Sequence, residues 1–359
     1  MKKSGKLIGK ILLTIVILLA VAVGAAGFII SVLDRERENV GFEADLEGYE
    51  SAGYVAVGNG FAAMSEIAVR LYGENGETLG TIARSYPNLM YAGGKNAVAV
   101  WTSGGEELSV LKADGESYDL SFTSGVTNVD LNDSGYAIVL AGEKGYKGSV
   151  SVIRPDGEAA YRVYVGSGYP VDADLSPDSR NAAILSLTAE GSRVSIYSLD
   201  REEPQNEWTD SASFFELEYL PGGRILLLSA NEAVILSGDG KSVWEFPFGE
   251  EYLNDFSAAG ENGIVLVLGK YKTGSTDRIV LLDQSCTATA QMEVQSEVRS
   301  ISTAGKYLAV RYSDEITVYD QGLNQLGSLN SAAGTDAVLM RSDGSAIIIS
   351  GGGAAIFEP

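Results

Sequence analysis

The chain has 359 residues, more than a single hydrophobic core usually holds, so it forms either two domains or one repetitive architecture. Four of its 26 basic residues lie before residue 34, which leaves 22 basic against 48 acidic groups beyond it and argues against nucleic acid as a partner. The chain contains no His, which removes the usual general base, the Ser-His-Asp and Cys-His pairings and the commonest zinc ligand.

An uncharged segment near the N-terminus predicts a membrane anchor. Residues 11 to 33, ILLTIVILLAVAVGAAGFIISVL, are long enough for a helix to cross a hydrocarbon core of roughly 30 Å. Four lysines precede this segment, whereas residues 34 to 38 carry a net charge of −1. The positive-inside rule then predicts a single-pass protein of the cell membrane, with residues 1 to 10 in the cytoplasm, a linker over 34 to 39 and an extracytoplasmic domain over 40 to 359.

Cleavage of this segment as a signal peptide is the alternative. Ala25, Ala26 and Gly27 supply the small residues that a signal peptidase needs. The apolar region of a signal peptide, however, is normally only about 7 to 15 residues long. No Cys lies nearby to carry a lipid, so the helix is the anchor that we expect.

The rest of the chain repeats one hairpin pattern, in which apolar residues alternate on either side of a polar turn. ELSVLKADGESYDLSF, residues 107 to 122, and SVSVIRPDGEAAYRVYV, residues 149 to 165, are clear examples. Successive turns are 37 to 44 residues apart, and that is the period of a propeller blade. The turn positions are Asn75, Asp114, Asp156, Asp200, Asp239, Asp283, Asp320 and Glu358.

A second hairpin precedes each of these, as in VTNVDLNDSGYAIVLAG from residue 126, so every unit has four strands. We predict an all-β fold, a β-propeller of eight four-stranded blades. The last unit lacks a fourth strand, and the strand candidate at residues 40 to 47 completes it and closes the ring. Seven blades is the alternative, because residues 48 to 66 fit two strands only loosely. An open solenoid would need polar caps at its ends.

The hairpin DGKSVWEF, residues 239 to 246, and its relatives resemble the blades of quinoprotein-like and outer-membrane-assembly propellers, and the turns before second strands resemble those of WD-repeat proteins. The whole layout, a basic N-terminus, one span and an acidic propeller, is similar to a family of bacterial envelope proteins, domain of unknown function 5711. That resemblance implies no known activity. The chain departs from WD-repeat proteins in having no Gly-His pair, and from quinone enzymes in having one Cys.

Several motifs come close to a chemical site without matching one. SGDGKSVW, residues 237 to 244, resembles the Asp-box of sialidases with its Gly displaced, and we interpret it as a turn. Asp172, Asp174 and Asp178 have the alternate spacing of a calcium loop but lack its Gly and Glu, so we interpret them as solvated turn acids. Cys286 is interpreted as a buried strand residue. We predict no catalytic residue, no metal ligand and no cofactor.

The candidate binding residues follow from topology, because propellers usually bind ligands on the face formed by the loops between blades and between second and third strands. The longest such loops, AGEKGYKGS from residue 141 and GKYKTGSTDR from residue 269, bring Lys144, Lys147, Lys270 and Lys272 to that face. The predicted binding residues are Arg84, Tyr86, Tyr146, Tyr169, Tyr252 and Tyr271. The alternative is that they are ordinary solvated loop residues.

These patterns predict a non-enzymatic binding or scaffolding module for an envelope protein or a surface glycan, anchored by a single span. A carboxylate-based glycan hydrolase or lyase is the alternative, with Asp130, Asp172 and Asp255 as the acids in the central funnel. A sensor with a cytoplasmic output is less favoured, because only ten residues precede the span. If residues 40 to 47 form an outermost strand, they enter the ring from the face opposite the long loops. The linker at residues 34 to 39 spans at most about 20 Å, so the loop-rich face would then point away from the membrane.

Overall fold

The computed structural model describes residues 43–46, 51–258, 263–271, 277–283, 287–330 and 334–359. Its 32 described strands form eight antiparallel sheets of four strands each. The prediction of an all-β propeller with eight blades is therefore confirmed. The segment that allowed seven blades, residues 48 to 66, contains two strands of the first blade, β2 (Gly53–Val57) and β3 (Gly60–Met64).

The predicted membrane helix, the linker and Cys286 lie outside the described residues. Among the residues that are described, none belongs to a helix long and apolar enough to span a membrane.

The first four blades each run in chain order from the first strand to the fourth. Blade 1 adds β4 (Val69–Tyr72) and β5 (Thr78–Ile82) to β2 and β3; blade 2 is β6 (Leu89–Gly94), β7 (Ala97–Thr102), β8 (Glu107–Lys112) and β9 (Ser117–Ser121). Blade 3 is β10 (Val126–Leu131), β11 (Ala137–Ala141), β12 (Gly148–Ile153) and β13 (Ala159–Val165); blade 4 is β14 (Tyr169–Leu175), β15 (Asn181–Thr188), β16 (Gly191–Ser198) and β17 (Asn206–Asp210).

The next three blades keep the same order, and the eighth takes a strand from the start of the chain. Blade 5 is β18 (Phe214–Tyr219), β19 (Ile225–Ser229), β20 (Glu232–Leu236) and β21 (Ser242–Pro247); blade 6 is β22 (Tyr252–Ser257), β23 (Ile264–Gly269), β24 (Asp277–Leu282) and β25 (Ala288–Val294). Blade 7 is β26 (Ser300–Ala304), β27 (Tyr307–Arg311), β28 (Glu315–Tyr319) and β29 (Gln325–Asn330); blade 8 is β30 (Thr335–Met340), β31 (Ala346–Ser350), β32 (Gly353–Phe357) and β1 (Glu43–Asp45).

The ring joins at blades 8 and 1, where the first strands β30 and β2 contact each other. In blade 8, Glu43–Asp45 lies antiparallel to Gly353–Ala355, and the Leu46 amide donates to the Gly352 carbonyl at 2.6 Å. Because residues 40 to 42 and 47 lie outside the described residues, closure of the ring by the whole segment 40 to 47 stays a prediction.

The hydrophobic core is divided among the layers between blades. Second and third strands such as β11, AIVLA, are buried along their whole length, whereas fourth strands such as β25 alternate between exposed and covered side chains. A strand packed on both faces needs apolar residues at every position, and an outer strand needs them only at every second one. The described hydrophobic clusters accordingly combine side chains of two neighbouring blades, for example Trp101 of blade 2 with Val139 of blade 3.

The repeated Asp-Gly pairs form the turns between third and fourth strands. Gly115 and Gly157 both have a φ of +86°, a left-handed conformation that glycine adopts without a steric penalty. The preceding aspartates accept hydrogen bonds from the backbone two residues on, Asp114 from the Glu116 amide at 2.9 Å and Asp156 from the Glu158 amide at 3.0 Å. Local turn chemistry therefore explains why the pattern recurs along the chain.

Candidate functional site: the loop face and the central channel

The propeller has two different faces. We call the loop face the one formed by the loops between blades and by the turns between second and third strands, and the turn face the opposite one. First strands begin at the loop face and line the central channel, while fourth strands are outermost. Residues at the start of a first strand therefore surround the mouth of the channel on the loop face.

Exposed large apolar side chains concentrate on the loop face. Ten side chains that are more than a third exposed lie at this end of the strands or in its loops: Ile67, Met90, Tyr91, Tyr146, Tyr164, Tyr169, Phe215, Tyr252, Tyr271 and Leu329. Of the side chains that the structure describes, three with this exposure lie at the turn-face end: Leu79, Val243 and Leu326. Aromatic residues are enriched in protein interfaces, so this asymmetry marks the loop face as the candidate binding surface.

Two of the predicted tyrosines, Tyr146 and Tyr169, lie on the neighbouring blades 3 and 4. Tyr169 is 60 % exposed, and Lys147 donates to its hydroxyl at 3.0 Å with Nζ 4.5 Å from the ring centroid. This hydrogen bond lowers the pKa of the Tyr169 hydroxyl. Tyr146, 50 % exposed, stacks on Tyr164 with ring centroids 4.9 Å apart. The loop of blade 3 and the start of blade 4 thus form one aromatic surface that carries a lysine.

The structure places Arg84 and Tyr86 differently from the sequence expectation of exposed binding residues. Tyr86 is only 2 % exposed and packs in the hydrophobic cluster between blades 1 and 2. The Arg84 guanidinium forms two hydrogen bonds to the Asp119 carboxylate, at 2.8 and 3.1 Å, and an ion pair with Glu107 at 3.4 Å. The prediction that Tyr86 is a binding residue is therefore wrong, because Tyr86 belongs to the hydrophobic core. Arg84 links strands β8 and β9 of blade 2 through Glu107 and Asp119.

Tyr252 and Tyr271 lie on blade 6, three blades along the ring from blade 3. Both are exposed, and the Lys270 ammonium group lies 5.9 Å from the Tyr271 ring centroid. Lys272 lies outside the described residues. Sequence reasoning missed Met90, Tyr91, Tyr164 and Phe215, although an apolar residue early in a first strand was a signal that could have identified three of them.

The walls of the channel are acidic. The eight first strands together carry seven carboxyl groups and neither Lys nor Arg. Five of these acids lie on three consecutive blades, 3, 4 and 5. The seven are Asp130, Asp172, Asp174, Glu216, Glu218, Asp255 and Asp336.

A repeated β-bulge positions these acids. First strands β10, β14, β18, β22 and β30 all shift register after their first or second residue, and in the first four the residue after the bulge is polar: Asn128, Asp172, Glu216 and Asp255. A bulge twists the strand and redirects its side chains. The bulge also explains why Phe215, the extra residue of β18, is 50 % exposed between buried Phe214 and half-buried Glu216.

Asp172 and Asp255 each accept a hydrogen bond from the backbone of the next blade. Asp172 accepts from the Ala173 amide at 2.9 Å, from the Asn128 side chain at 2.7 Å and from the Leu217 amide of blade 5 at 2.6 Å. Asp255 likewise accepts from the Ile301 amide of blade 7 at 3.1 Å. On the channel side of a first strand, the backbone amides have no further strand of the same blade to which they can donate hydrogen bonds. These carboxylates therefore satisfy the inner edges of the ring.

Asp174 repeats this arrangement, with hydrogen bonds from the Leu175 amide at 2.5 Å and the Tyr219 amide at 2.6 Å. Asp172 and Asp174 are 6 % and 5 % exposed, so their interpretation as solvated turn acids is wrong; only Asp178 is exposed in a turn. The reason is that they lie within β14 and face the neighbouring blade. Within the described residues, no group of three or more acids or cysteines is arranged to hold a metal ion.

Burial makes the acids of blades 4 and 5 hold their protons. Burial, together with the smaller effect of the nearby Asp130 and Asp172 carboxyl groups, raises the pKa of Glu218 to about 8. Burial is also the largest cause of the raised pKa of Asp172, Asp174 and Glu216, and the charged groups that perturb all four are acids. Hydrogen bonds from backbone amides oppose this effect at Asp172 and Asp174. Near neutral pH the channel wall is therefore partly protonated.

Comparison with known proteins gives a family and a fold. The family model described as "Family of unknown function (DUF5711)" matches residues 36–346. No curated protein sequence matches the chain.

Solved structures with a similar fold come from several kinds of propeller. The C-terminal WD40 domain of Sif2 has a TM-score of 0.59 and 15 % identity, covering 89 % of this chain and 95 % of that one. Chaetomium thermophilum Sqt1 bound to the N-terminus of the ribosomal protein L10 has a TM-score of 0.58 and 12 % identity, covering 89 % and 100 %. BamB from Moraxella catarrhalis has a TM-score of 0.54 and 12 % identity, covering 86 % and 99 %. At these identities the likeness concerns the fold alone.

Proposed function

The chain belongs to the DUF5711 family, whose function is unknown, and we propose that it is a membrane-anchored, extracytoplasmic propeller whose loop face binds an envelope protein without catalysing a reaction. The observation that carries the proposal is the division of exposed large apolar side chains, ten at the loop face against three at the turn face. A surface that served only solubility would not concentrate tyrosines at one end of the ring.

The fold is consistent with a binding role. The structure of Sqt1, whose similarity in fold covers 89 % of this chain, was solved with the N-terminus of the ribosomal protein L10 bound. A rigid ring presents loops from eight blades on one face, so a partner can contact several of them at once without ordering the propeller further. The stacked Tyr146 and Tyr164 pair is one such preformed contact.

The anchored orientation rests on the sequence. The uncharged segment from residue 11 to residue 33 and the four lysines before it support a single span with the propeller outside. If residues 40 to 47 enter the ring as its outermost strand, the short linker holds the turn face near the membrane. The loop face is then available to a partner in the envelope.

Site-specific photo-crosslinking tests the proposal. A benzophenone amino acid replaces Tyr169 on the loop face or, as the matched control, exposed Glu202 in the turn-face loop of blade 4, in cells that express the full chain. We expect a protein crosslink from position 169 that position 202 does not give. Equal crosslinking from both positions would reject the loop face as the binding surface.

A second set of variants checks that the aromatic side chains matter. With the photoreactive residue at position 147, replacement of Tyr146, Tyr252 and Phe215 by Ala is expected to abolish the crosslink. These side chains are exposed, so their truncation should leave the folded state largely intact. An unchanged crosslink would mean that the partner does not use them.

The enzyme alternative has one observation in its favour, a protonated carboxyl group, Glu218, close to other carboxylates, as in glycosidases. Against it, Asp172 and Asp255 already accept backbone amides of two blades. Release of reducing ends from envelope glycan by the wild type, lost on Glu218→Gln, would favour the enzyme over the binding module.

A further inference from the structure

We propose that the segment bound at the loop face is a cationic, extended peptide of the partner protein, which lies on the exposed aromatic residues and directs its Lys or Arg side chains into the acidic mouth of the channel. This inference rests on the proposed function and adds the chemistry of the partner. It follows from the placement of the aromatic side chains, from the charge of the channel and from the position of Lys147.

The aromatic residues and the acids lie on the same strands. Phe215 directly precedes Glu216 on β18, Tyr169 is three residues before Asp172 on β14, and Tyr252 is three residues before Asp255 on β22. Three residues of a strand span about 10 Å. A cation at the level of the Tyr169 or Tyr252 ring is therefore slightly more than one screening length, about 8 Å at physiological salt, from a carboxyl group, and a cation beside Phe215 is closer still to Glu216.

The eight first strands carry no Lys or Arg that would neutralise these acids. Glu216 and Glu218 face Asp130 from β10 and Asp172 from β14, and all of these are acids. On the neighbouring β22 the ionisable groups are Tyr252 and Asp255, and on the first strands across the channel they are Tyr54, Tyr91 and Asp336. None of the eight first strands supplies a base. A partner with Lys or Arg side chains would supply the missing charge, whereas an acidic segment would be repelled.

The aromatic surface is itself suited to a cation. The chain places its own Lys147 ammonium 4.5 Å from the Tyr169 ring centroid, which is a cation–π geometry. Phe215 and Tyr252 offer further aromatic groups at the mouth, and both side chains are exposed. A peptide with alternating small and basic residues can therefore place a basic side chain at the Phe215 and Tyr252 rings and at the carboxyl groups beyond them, whereas Lys147 already occupies the Tyr169 ring.

Binding of such a peptide is linked to protons. Burial raises the pKa of Glu216 and Glu218 to about 8, so both hold protons near neutral pH in the free protein, and a nearby cation stabilises their ionised forms. Binding therefore releases protons, and the affinity must rise with pH until the acids are ionised in the free protein as well. A surface of ordinary, exposed carboxylates would show no such dependence above pH 6, because those groups are already charged.

Fluorescence anisotropy on the full chain in detergent tests the inference. The probe is a labelled acetyl-(Lys-Gly)4-amide, and acetyl-(Glu-Gly)4-amide is the control peptide, both at pH 8 and 0.15 M NaCl. We expect binding of the cationic probe only. The double variant Glu216→Gln/Glu218→Gln is expected to weaken it at least about fivefold, and Phe215→Ala about threefold.

Matched variants separate a local site from the general charge of the protein. Glu202→Gln/Glu203→Gln removes the same two charges from the turn face, where both side chains are exposed. Val243→Ala truncates an exposed apolar residue at that face. Both should leave the affinity within about twofold of the wild type. Equal weakening by the two glutamine pairs would overturn the inference.

The pH dependence gives an independent readout. Between pH 6 and pH 8 the affinity of the wild type should rise about tenfold, and the rise should be reduced in Glu216→Gln/Glu218→Gln. Thermal unfolding of each variant confirms that it is folded. If a protein crosslinks through position 169 but the cationic probe does not bind, the partner chemistry proposed here is wrong while the binding function stands. If the probe binds but no protein crosslinks through position 169, the proposed binding of an envelope protein is wrong instead.

Discussion

Raising the pH through neutrality is expected to destabilise the propeller, because the channel acids lose protons that the folded state holds. Burial raises the pKa of Glu218 to about 8, from an ordinary value of 4.5. Between these two values the folded chain binds more protons than the unfolded chain, so the free energy of unfolding falls as the pH rises. The stability that protonated Glu218 contributes is present in full below about pH 4.5 and is lost as the pH rises through about 8.

The magnitude follows from the width of this window. Each pH unit over which the folded chain holds one extra proton lowers the free energy of unfolding by about 1.4 kcal/mol. From pH 5 to pH 7, Glu218 alone would contribute a loss of about 2.5 kcal/mol, which solvent screening of this partly exposed side chain reduces to roughly 1 to 2 kcal/mol. Glu218→Gln keeps the shape of the protonated side chain and removes the titration. At pH 7 this variant should be more stable than the wild type by that amount, and at pH 5 the two should be similar.

Urea unfolding of the full chain in detergent, followed by tryptophan fluorescence, measures the effect. Trp101 is buried and Trp208 and Trp244 are partly buried, so unfolding changes the surroundings of all three. The control is Glu202→Gln, a neutralised exposed side chain whose stability should follow that of the wild type at each pH. If stability is constant or rises between pH 5 and pH 7, or if Glu218→Gln and the wild type have the same slope, the raised pKa is refuted.

Three further predictions concern the ring and its orientation. Asp172→Ala leaves the Leu217 amide without its acceptor and should lower the free energy of unfolding by about 2 to 4 kcal/mol, whereas Asp178→Ala in an exposed turn should cost less than about 1 kcal/mol; urea midpoints compare them. Deletion of residues 40 to 47 should expose the edge of β32 and cause aggregation, seen by size-exclusion chromatography, and a monomeric product with unchanged melting temperature would contradict closure by this segment. A membrane-impermeant amine reagent should label exposed Lys241 in intact spheroplasts, and labelling only after lysis would place the propeller inside the cell.

The number of blades was predictable because it depends on local patterns. The Asp-Gly turns at residues 114 and 156 need only their own residues, and alternation of apolar residues reports whether a strand is covered on one face. The first blade was the uncertain one, because β2 and β3, GYVAV and GFAAM, are short and rich in small residues. Their pairing became clear only with the neighbouring blade packed against them.

The binding surface was predicted in part. Tyr146, Tyr169, Tyr252 and Tyr271 lie in loops or at strand starts, where topology alone indicates exposure, and the structure places all four at the loop face. Tyr86 has the same kind of position in the sequence, but side chains of blades 1 and 2 enclose it. Burial of a loop residue depends on neighbours that are distant in sequence, so no local pattern reports it.

The sequence by itself determined the repeat, the strand order within each blade and the acidic character of the first strands, because all three depend on neighbouring residues. Only the tertiary structure decided what those acids do. Ring formation brings together carboxyl groups from three first strands, β10, β14 and β18, that are about 40 residues apart in the chain. Packing of β14 against β18 buries Asp172 and Asp174 and gives them backbone amides to bind. Burial and mutual repulsion then raise the pKa of the channel acids, and both effects exist only once the blades are in contact.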